Sequence, residues 1–414
     1  MRFDPRTAVA TVRDLDRPII VLAAIAFISQ VGISVMLPLL PLFAIEVGAT
    51  PRELGLMVSI FAVTQTLGQL GSGALSGRLS PRRQMPVGQL SYAAANFLIA
   101  TSTAAVPLIT FRALAGLGGG LSIIAERLYI ARVADRARLA FTNGVISAAG
   151  SSGSVLGPAI GGYLALQDLR IPFIVVGITA TIAGVAAIAY LPPEPDLPPD
   201  MDAVAADSAG PALAVRLRDQ LTAIRPFGAL ALWNLGFSAA YGGWITTFGP
   251  YANDRLALPV NQVTLIFAMF GLGSIILGPW LSRRADLSGR RRMVAIGSIL
   301  VLANLASMIL KLPVPVIFGS AIVAGGGLAA ANASWFALLT IATDGGRRGR
   351  AFGLVTALSN LGVVAGATLA SEIWQGVGID EALLVAAVFL VLATVSLVLV
   401  RTEARPAEGP AAAT

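Results

Sequence analysis

Long runs without a charged side chain dominate this sequence. They cover 19–45, 54–77, 84–111, 113–125, 139–167, 171–193, 226–253, 256–282, 293–310, 312–343, 351–371 and 382–400. A bilayer core is crossed by roughly 20 apolar residues in a helix. Only a helix or a closed barrel satisfies its own backbone hydrogen bonds there. The run 113–125 is too short, and its neighbour overruns to Phe111. A split at Pro107 repairs both, giving a third span from about 85 to 103 and a fourth from about 107 to 128. Alternating apolar and polar strand patterns are absent, which argues against a barrel. The expected fold class is an all-α polytopic membrane protein with twelve transmembrane helices.

Composition narrows the function. Charged residues make up 12% and hydrophobic residues 56%, against about 25% charged in a soluble domain. A soluble enzyme, a disordered chain and a nucleic-acid binder are excluded. The sequence has neither Cys nor His, so thiol catalysis, thiolate metal sites and imidazole relays are ruled out. No metal or cofactor is expected, and a proton route must use carboxylates, arginine, hydroxyls or water. No nucleophile arrangement or Walker loop is present, so neither a membrane enzyme nor an ATP-driven pump is supported.

Charge distribution sets the expected orientation. Lys311 is the one lysine among 29 basic residues. With the N-terminus inside, 24 basic residues fall on the inner side. Four fall outside: Arg52, Arg170, Arg255 and Lys311. Arg112 is left inside the membrane. That asymmetry follows the positive-inside rule and makes the net charge of +7 a topology signal. The first apolar stretch is too long for a signal-peptide core, so no cleaved leader is expected. Both termini are expected in the cytoplasm, and the Ala-, Gly- and Arg-rich composition suggests a bacterial inner membrane.

The chain also repeats. At an offset of 209, Pro41 matches Pro250, Arg82 and Arg83 match Arg291 and Arg292, and Gly116 and Gly118 match Gly325 and Gly327. Gly153 and Gly157 match Gly362 and Gly366. Two six-helix repeats are expected: 19–191 and 227–400, joined by a cytoplasmic linker over 192–226 and flanked by tails 1–18 and 401–414. The linker opens Pro-rich and acidic, which predicts extended or disordered chain. Residues 212–225 form an amphipathic stretch suited to the inner surface. Parallel repeats are a transporter plan, with the site at their interface near the midplane.

Four local patterns carry the mechanism. The loop after the second span contains Gly73, Arg78, Arg82 and Arg83; its counterpart in the second half contains Asp286, Gly289 and Arg290. Glycine permits a tight turn, and arginine binds helix C-termini, carboxylates or anionic lipid. The fourth span reads Arg112-Ala-Leu-Ala-Gly116. An arginine at that depth costs about 2.5–3.5 kcal/mol on insertion scales and needs a cavity or a partner. An outer-end arginine reaching the interface is the competing reading. The fifth span places Gly153, Gly157 and Gly161 four apart, so one face admits a close neighbour, and Pro158 frees a carbonyl there. Finally, Pro38 and Pro41 near the outer end of the first span predict a bend.

Together these patterns resemble the major facilitator superfamily over all twelve spans, and the fifth-span pattern is similar to that of its twelve-helix drug–proton antiporters. The resemblance implies a secondary active transporter working by alternating access, a monomer whose partners are a small-molecule substrate, protons and the lipid bilayer. It implies a gating role for Gly73, Arg78, Arg82 and Arg83, a proton-coupling role for Arg112, and an antiporter motif at Gly153, Gly157 and Pro158. Two departures stand out. The family's loop aspartate is Gly77 here, and the aspartate that often ends the fourth span is Arg132.

The remaining expectations concern proton and substrate. Such antiporters mostly carry an acidic residue well inside the first span, whereas here its strongly polar mid-membrane residue is Gln30. Arg112, Glu126 and Glu46 are the proton-coupling candidates. Glu126 lies 14 residues from Arg112, about 21 Å along a helix and near the same face; a salt bridge to Arg78 or Arg127 is its plainer reading. Glu46 and Glu372 sit at outer ends, where solvation alone would explain them. Gln30, Asn234, Tyr241, Trp244, Asn332 and Trp335 are the substrate-cavity candidates, since aromatic faces and amides suit a lipophilic, partly polar compound. The expected function is proton-coupled export of small lipophilic compounds. The alternative is a metabolite or sugar facilitator without tight proton coupling.

Overall fold

Apolar spans that must satisfy their own backbone become helices, and the computed structural model contains no strand among the residues it describes: 17–76, 78–133, 139–194, 228–342 and 348–397. The expected tails and most of the linker, with its amphipathic stretch, lie outside them. Fourteen helices follow in order: α1 Arg17–Met36, α2 Leu40–Glu46, α3 Pro51–Leu75, α4 Pro81–Ala100, α5 Ala105–Val133, α6 Leu139–Ala165 and α7 Ile171–Tyr190, then α8 Gly228–Asp254, α9 Val260–Ile276, α10 Gly278–Ser288, α11 Arg290–Ile309, α12 Val314–Ile341, α13 Arg348–Gly376 and α14 Ile379–Ser396. Eight are by themselves long and apolar enough to cross a membrane, or nine if α9 and α10 form one bent span. Taking α1 with α2 and α9 with α10 gives twelve rods.

The interruptions have local causes. Between α1 and α2 the chain turns at residues 37–39, where Pro38 and Pro41 lack the N–H groups a continuous helix needs. The bend expected there is a break. The break before α10 falls at Leu277, followed by Pro279, and bends the pair by 50°. The third and fourth spans divide at residues 101–104 rather than at Pro107, which sits in the first turn of α5, where a missing N–H costs nothing. Helix α3 begins with Pro51 and a capping box: Thr50 donates its N–H to Glu53 at 2.8 Å, and Glu53 returns its own to Thr50 Oγ1 at 3.3 Å. Gly289 turns the chain from α10 into α11 at φ +94°, a conformation that side-chain-bearing residues rarely adopt.

The internal repeat extends to packing partners. A methyl group on Gly116 would strike the Phe61 carbonyl oxygen, and one on Gly325 would strike that of Phe270. Gly118 lies against Gly88, and Gly327 against Gly297. Both partner pairs are again 209 residues apart. Within the first half α3 packs on α5, α1 on α6 and α7, and α4 on α5 and α7. Within the second α8 packs on α13 and α14, and α12 on α9 and α11. The halves meet along α3 with α13 and α6 with α9.

Candidate functional site

Between the halves lies a cavity of about 830 Å³. The first half supplies most of its wall, from α1, α3, α4, α5, α6 and α7. The second half contributes Tyr241, Ile245, Asn360 and Val363. Along α5 the lining runs from Arg112 to Glu126 and Arg127, so the cavity reaches the end of the molecule where Arg78, Arg82 and Arg132 cluster. At that end Gly71 and Gly73 of α3 face open space.

The opposite end is closed across the halves. Arg52 pairs with Glu372 at 2.6 Å. One turn or more deeper, Gly55 abuts Ser371, the Ser59 and Thr368 hydroxyls lie 3.1 Å apart, and Asn360 donates to Thr66 Oγ1 at 2.6 Å. Gly162 of α6 meets Thr264 of α9. This is a one-sided opening, closed at the Arg52 end and accessible from the arginine-rich end.

Arg112 is the buried charge of the cavity, only 3% exposed. Its guanidinium carbon sits 4.1 Å from the Phe61 ring centroid, and Nη1 approaches Met36 Sδ at 3.9 Å. Nε has no hydrogen-bond partner. A desolvated cation–π contact is worth about 2 kcal/mol, which offsets much of the insertion cost of about 2.5–3.5 kcal/mol without supplying a counter-ion. Arg112 makes no ion pair with Glu46, which is exposed at the end of α2. Glu126 lines the cavity near its mouth and has no ion pair among the described residues. Both residues share one face of α5, as their spacing implies.

Of the six expected substrate residues, Gln30 and Tyr241 line the cavity. Four lie elsewhere, for identifiable reasons. Asn234 points to α13, donating to Ser359 Oγ at 2.6 Å and Val355 O at 3.2 Å. Trp335 is buried in the second half, donating to Leu230 O at 3.0 Å and packing on Trp233. Trp244 packs between Phe248 and Phe267, each 4.9 Å away, and Asn332 is exposed outside the cavity lining. Aromatics cluster on these helices because they build the core of the second half. Sequence reasoning missed Phe61, Gln65, Gln89, Tyr92 and Asn360. Mid-span amides were the signal, applied to Gln30, Asn234 and Asn332 and not extended to α3, α4 and α13, which carry Gln65, Gln89 and Asn360.

The glycine face of α6 packs as its spacing requires. Gly153 meets the Phe27 carbonyl, Gly157 that of Val31, and Gly161 that of Val35, all on α1. Pro158 lies inside α6. In the loop after α3, Arg78 and Arg83 are exposed. Arg82 instead donates its backbone N–H to Glu194 at 2.5 Å and its Nε to Leu191 O at 2.6 Å. Glu194 also forms an ion pair with Arg132, and Tyr129 donates to Pro192 O at 3.0 Å. Residues 191–194 are thus held against the ends of α4 and α5. In the second half Gly289 makes the turn and Arg290 opens α11; the Asp286 side chain lies outside the described residues.

The sequence pattern of the Major Facilitator Superfamily matches residues 22–258 and again 230–414. The chain belongs to that superfamily. That is a family of multi-pass membrane transporters. Quinolone resistance protein NorA of Staphylococcus aureus is 28% identical over 177 residues, 43% of this chain and 46% of NorA. Multidrug resistance protein 1 of Bacillus subtilis is 27% identical over 184 residues, 44% of this chain and 47% of the relative. The matched segments thus span just under half of these relatives. Among solved structures, the nucleoside transporter NupG shares 13% identity over 92% of this chain and 99% of its own, with a TM-score of 0.75. A bacterial homologue of the human lysosomal transporter Spinster shares 13% identity over 92% and 96%, with a TM-score of 0.74. These likenesses show the major facilitator fold.

Proposed function

We propose that this member of the superfamily exports small, largely apolar compounds in exchange for protons, as the names of its resistance-protein relatives suggest. In this reading all twelve rods cross a bacterial inner membrane, with both termini and the arginine-rich end in the cytoplasm. Residues 19–191 and 227–400 are the two bodies that rock about the site, joined by the linker 192–226, and a monomer suffices. The observation that carries the proposal is one cavity holding Arg112 and Glu126, both without an ion-pair partner among the described residues, closed at one end and accessible at the other. The conformation is then inward-facing. Glu126 is the proton carrier and Arg112 the fixed charge it works against. Glu46 has no place in that exchange.

Export requires the α3–α13 contacts at the Arg52 end to part while the arginine-rich end closes around Gly73, Arg78, Arg83 and their counterparts at Asp286, Gly289 and Arg290. The α6 glycines and Pro158 let that helix pivot against α1. The test is efflux of a panel of lipophilic fluorescent dyes from cells expressing wild type or Glu126→Gln, with and without a protonophore. Protonophore-sensitive efflux that the variant loses supports the reading. The second reading, a facilitator without tight coupling, is favoured by Gln30 occupying the deep position on α1, and protonophore-resistant efflux would select it.

A further inference from the structure

We infer that the deep end of the cavity receives a carboxylate, or a comparable small anionic group, on an otherwise apolar substrate, with Arg112 as its charge partner. This deepens the transport reading above and rests on it. Arg112 is buried to 3% exposure yet lines the cavity, sets its guanidinium against a thioether and an aromatic ring, shares the lining with Tyr92 and Tyr241, and leaves Nε without a hydrogen-bond partner. A planar guanidinium matches a carboxylate with two parallel hydrogen bonds. Among the described lining residues, the one carboxylate is Glu126, about 21 Å away along α5 and beside Arg127. In the lining Glu126 is thus offset by Arg127, while the deep end holds Arg112 with no carboxylate beside it among the described lining residues.

The neutral lining agrees with this. Gln30, Gln89 and Asn360 direct their amide nitrogens to Ser34, Ser29 and Thr66. Each amide keeps its carbonyl oxygen and a second N–H, so these groups can meet further polar groups on the same molecule without supplying a charge. Ile33, Leu37 and Val58 supply apolar wall. At about 6 Å and an effective permittivity near 20, a guanidinium changes the affinity of a unit charge more than tenfold, favourably for an anion and unfavourably for a cation. Arg112 therefore selects against the lipophilic cations that a deep acid would favour.

The test uses the purified full-length protein in lipid nanodiscs and three probes sharing one ring system: 1-naphthoate, 1-naphthamide and 1-naphthylmethylammonium. Isothermal titration calorimetry should show naphthoate binding at least tenfold tighter than naphthamide and the ammonium weakest. Arg112→Gln should erase the advantage of naphthoate while naphthamide affinity changes less than twofold, and Arg112→Lys should keep part of it. If Arg112→Gln fails to fold, as judged by gel filtration and melting, the wild-type ranking and the lysine variant decide. Ammonium binding as tight as naphthoate overturns the inference. So does a naphthoate advantage that survives Arg112→Gln, or no naphthoate binding by folded wild type. Protonophore-sensitive dye efflux alongside any of these results would leave the exporter standing and remove only its acid specificity.

Discussion

Arg52 on α3 and Glu372 on α13 hold each other across the two halves through paired hydrogen bonds of 2.7 and 2.6 Å. Ser59–Thr368 and Thr66–Asn360 continue the same seam inward. The ion pair is solvent-accessible, with side chains 67% and 42% exposed, so water and salt screen it and its contribution is small. Glu372→Gln should then shift the balance between the two openings less than about fivefold. Covalent closure should act far more strongly. The chain has no native Cys, so oxidation of a Ser59→Cys, Thr368→Cys double variant, at two short side chains whose hydroxyls lie 3.1 Å apart on the same seam, reports on one disulfide. Oxidation should stop transport and a reductant should restore it. Full transport while oxidised would mean that this seam never opens.

Glu126→Gln should uncouple export from the proton gradient while leaving ligand binding within a few-fold of wild type. The carboxylate lines the mouth, about 21 Å from Arg112 along the helix, so its loss removes a proton site without touching the deep pocket. Proton uptake by proteoliposomes during substrate release measures this directly. Unchanged proton movement in the variant would clear Glu126 of the role.

Charge bookkeeping gives a third prediction, conditional on the acidic substrate. One anion leaving for one proton entering moves two charges in the direction that an inside-negative potential favours. Each charge is worth about 2.3 kcal/mol per 100 mV, so the voltage dependence should be twice that for a neutral substrate. Valinomycin-clamped proteoliposomes loaded with 1-naphthoate or 1-naphthamide provide the comparison. Equal voltage dependence for the two would rule out this stoichiometry.

Gly157→Ala should lower stability more than Gly73→Ala. A methyl group at Gly157 would meet Ser34 Cβ at 2.6 Å and the Val31 carbonyl oxygen at 2.7 Å, whereas Gly73 has nothing within 4 Å. Overpacking a tight contact costs about 1–3 kcal/mol. Melting temperatures of the two variants in one detergent make the check, and equal values would show that α1 and α6 yield without strain.

The pattern of legibility follows from what each signal measures. Apolar runs placed most helices within a few residues, because a membrane leaves the backbone few alternatives. The glycine repeat was readable because close backbone approach tolerates no substitute, and Gly116–Phe61 and Gly325–Phe270 carry it into three dimensions. Arg112 stood out through the cost of placing a charge at that depth. Cavity walls were harder. Trp335 and Asn234 carry the same chemistry as Tyr241 but face the interior of their own half. Which face of an all-apolar helix meets the cavity is set by packing, and a helix that is hydrophobic all round gives no periodicity to read.

Glu194 shows how two departures from the family loop are reconciled. Gly77 removes the loop carboxylate, and Arg132 replaces an acid at the end of α5. Glu194 returns one negative charge from the start of the linker, pairing with Arg132 and accepting the Arg82 backbone N–H. Both side chains of the pair are largely shielded from solvent, at 12% and 6% exposure. Glu194→Leu removes the ion pair with Arg132 and the acceptor of the Arg82 N–H together, and breaking a shielded pair costs more than breaking an exposed one. Glu194→Leu should therefore melt well below wild type, and Glu194→Gln, which keeps an acceptor for the Arg82 N–H, should recover part of the loss. The pair lies wholly within the first half, so Glu194→Gln should still transport. If Glu194→Gln melts no higher than Glu194→Leu, the ion pair with Arg132 carries the stability and the Arg82 hydrogen bond does not.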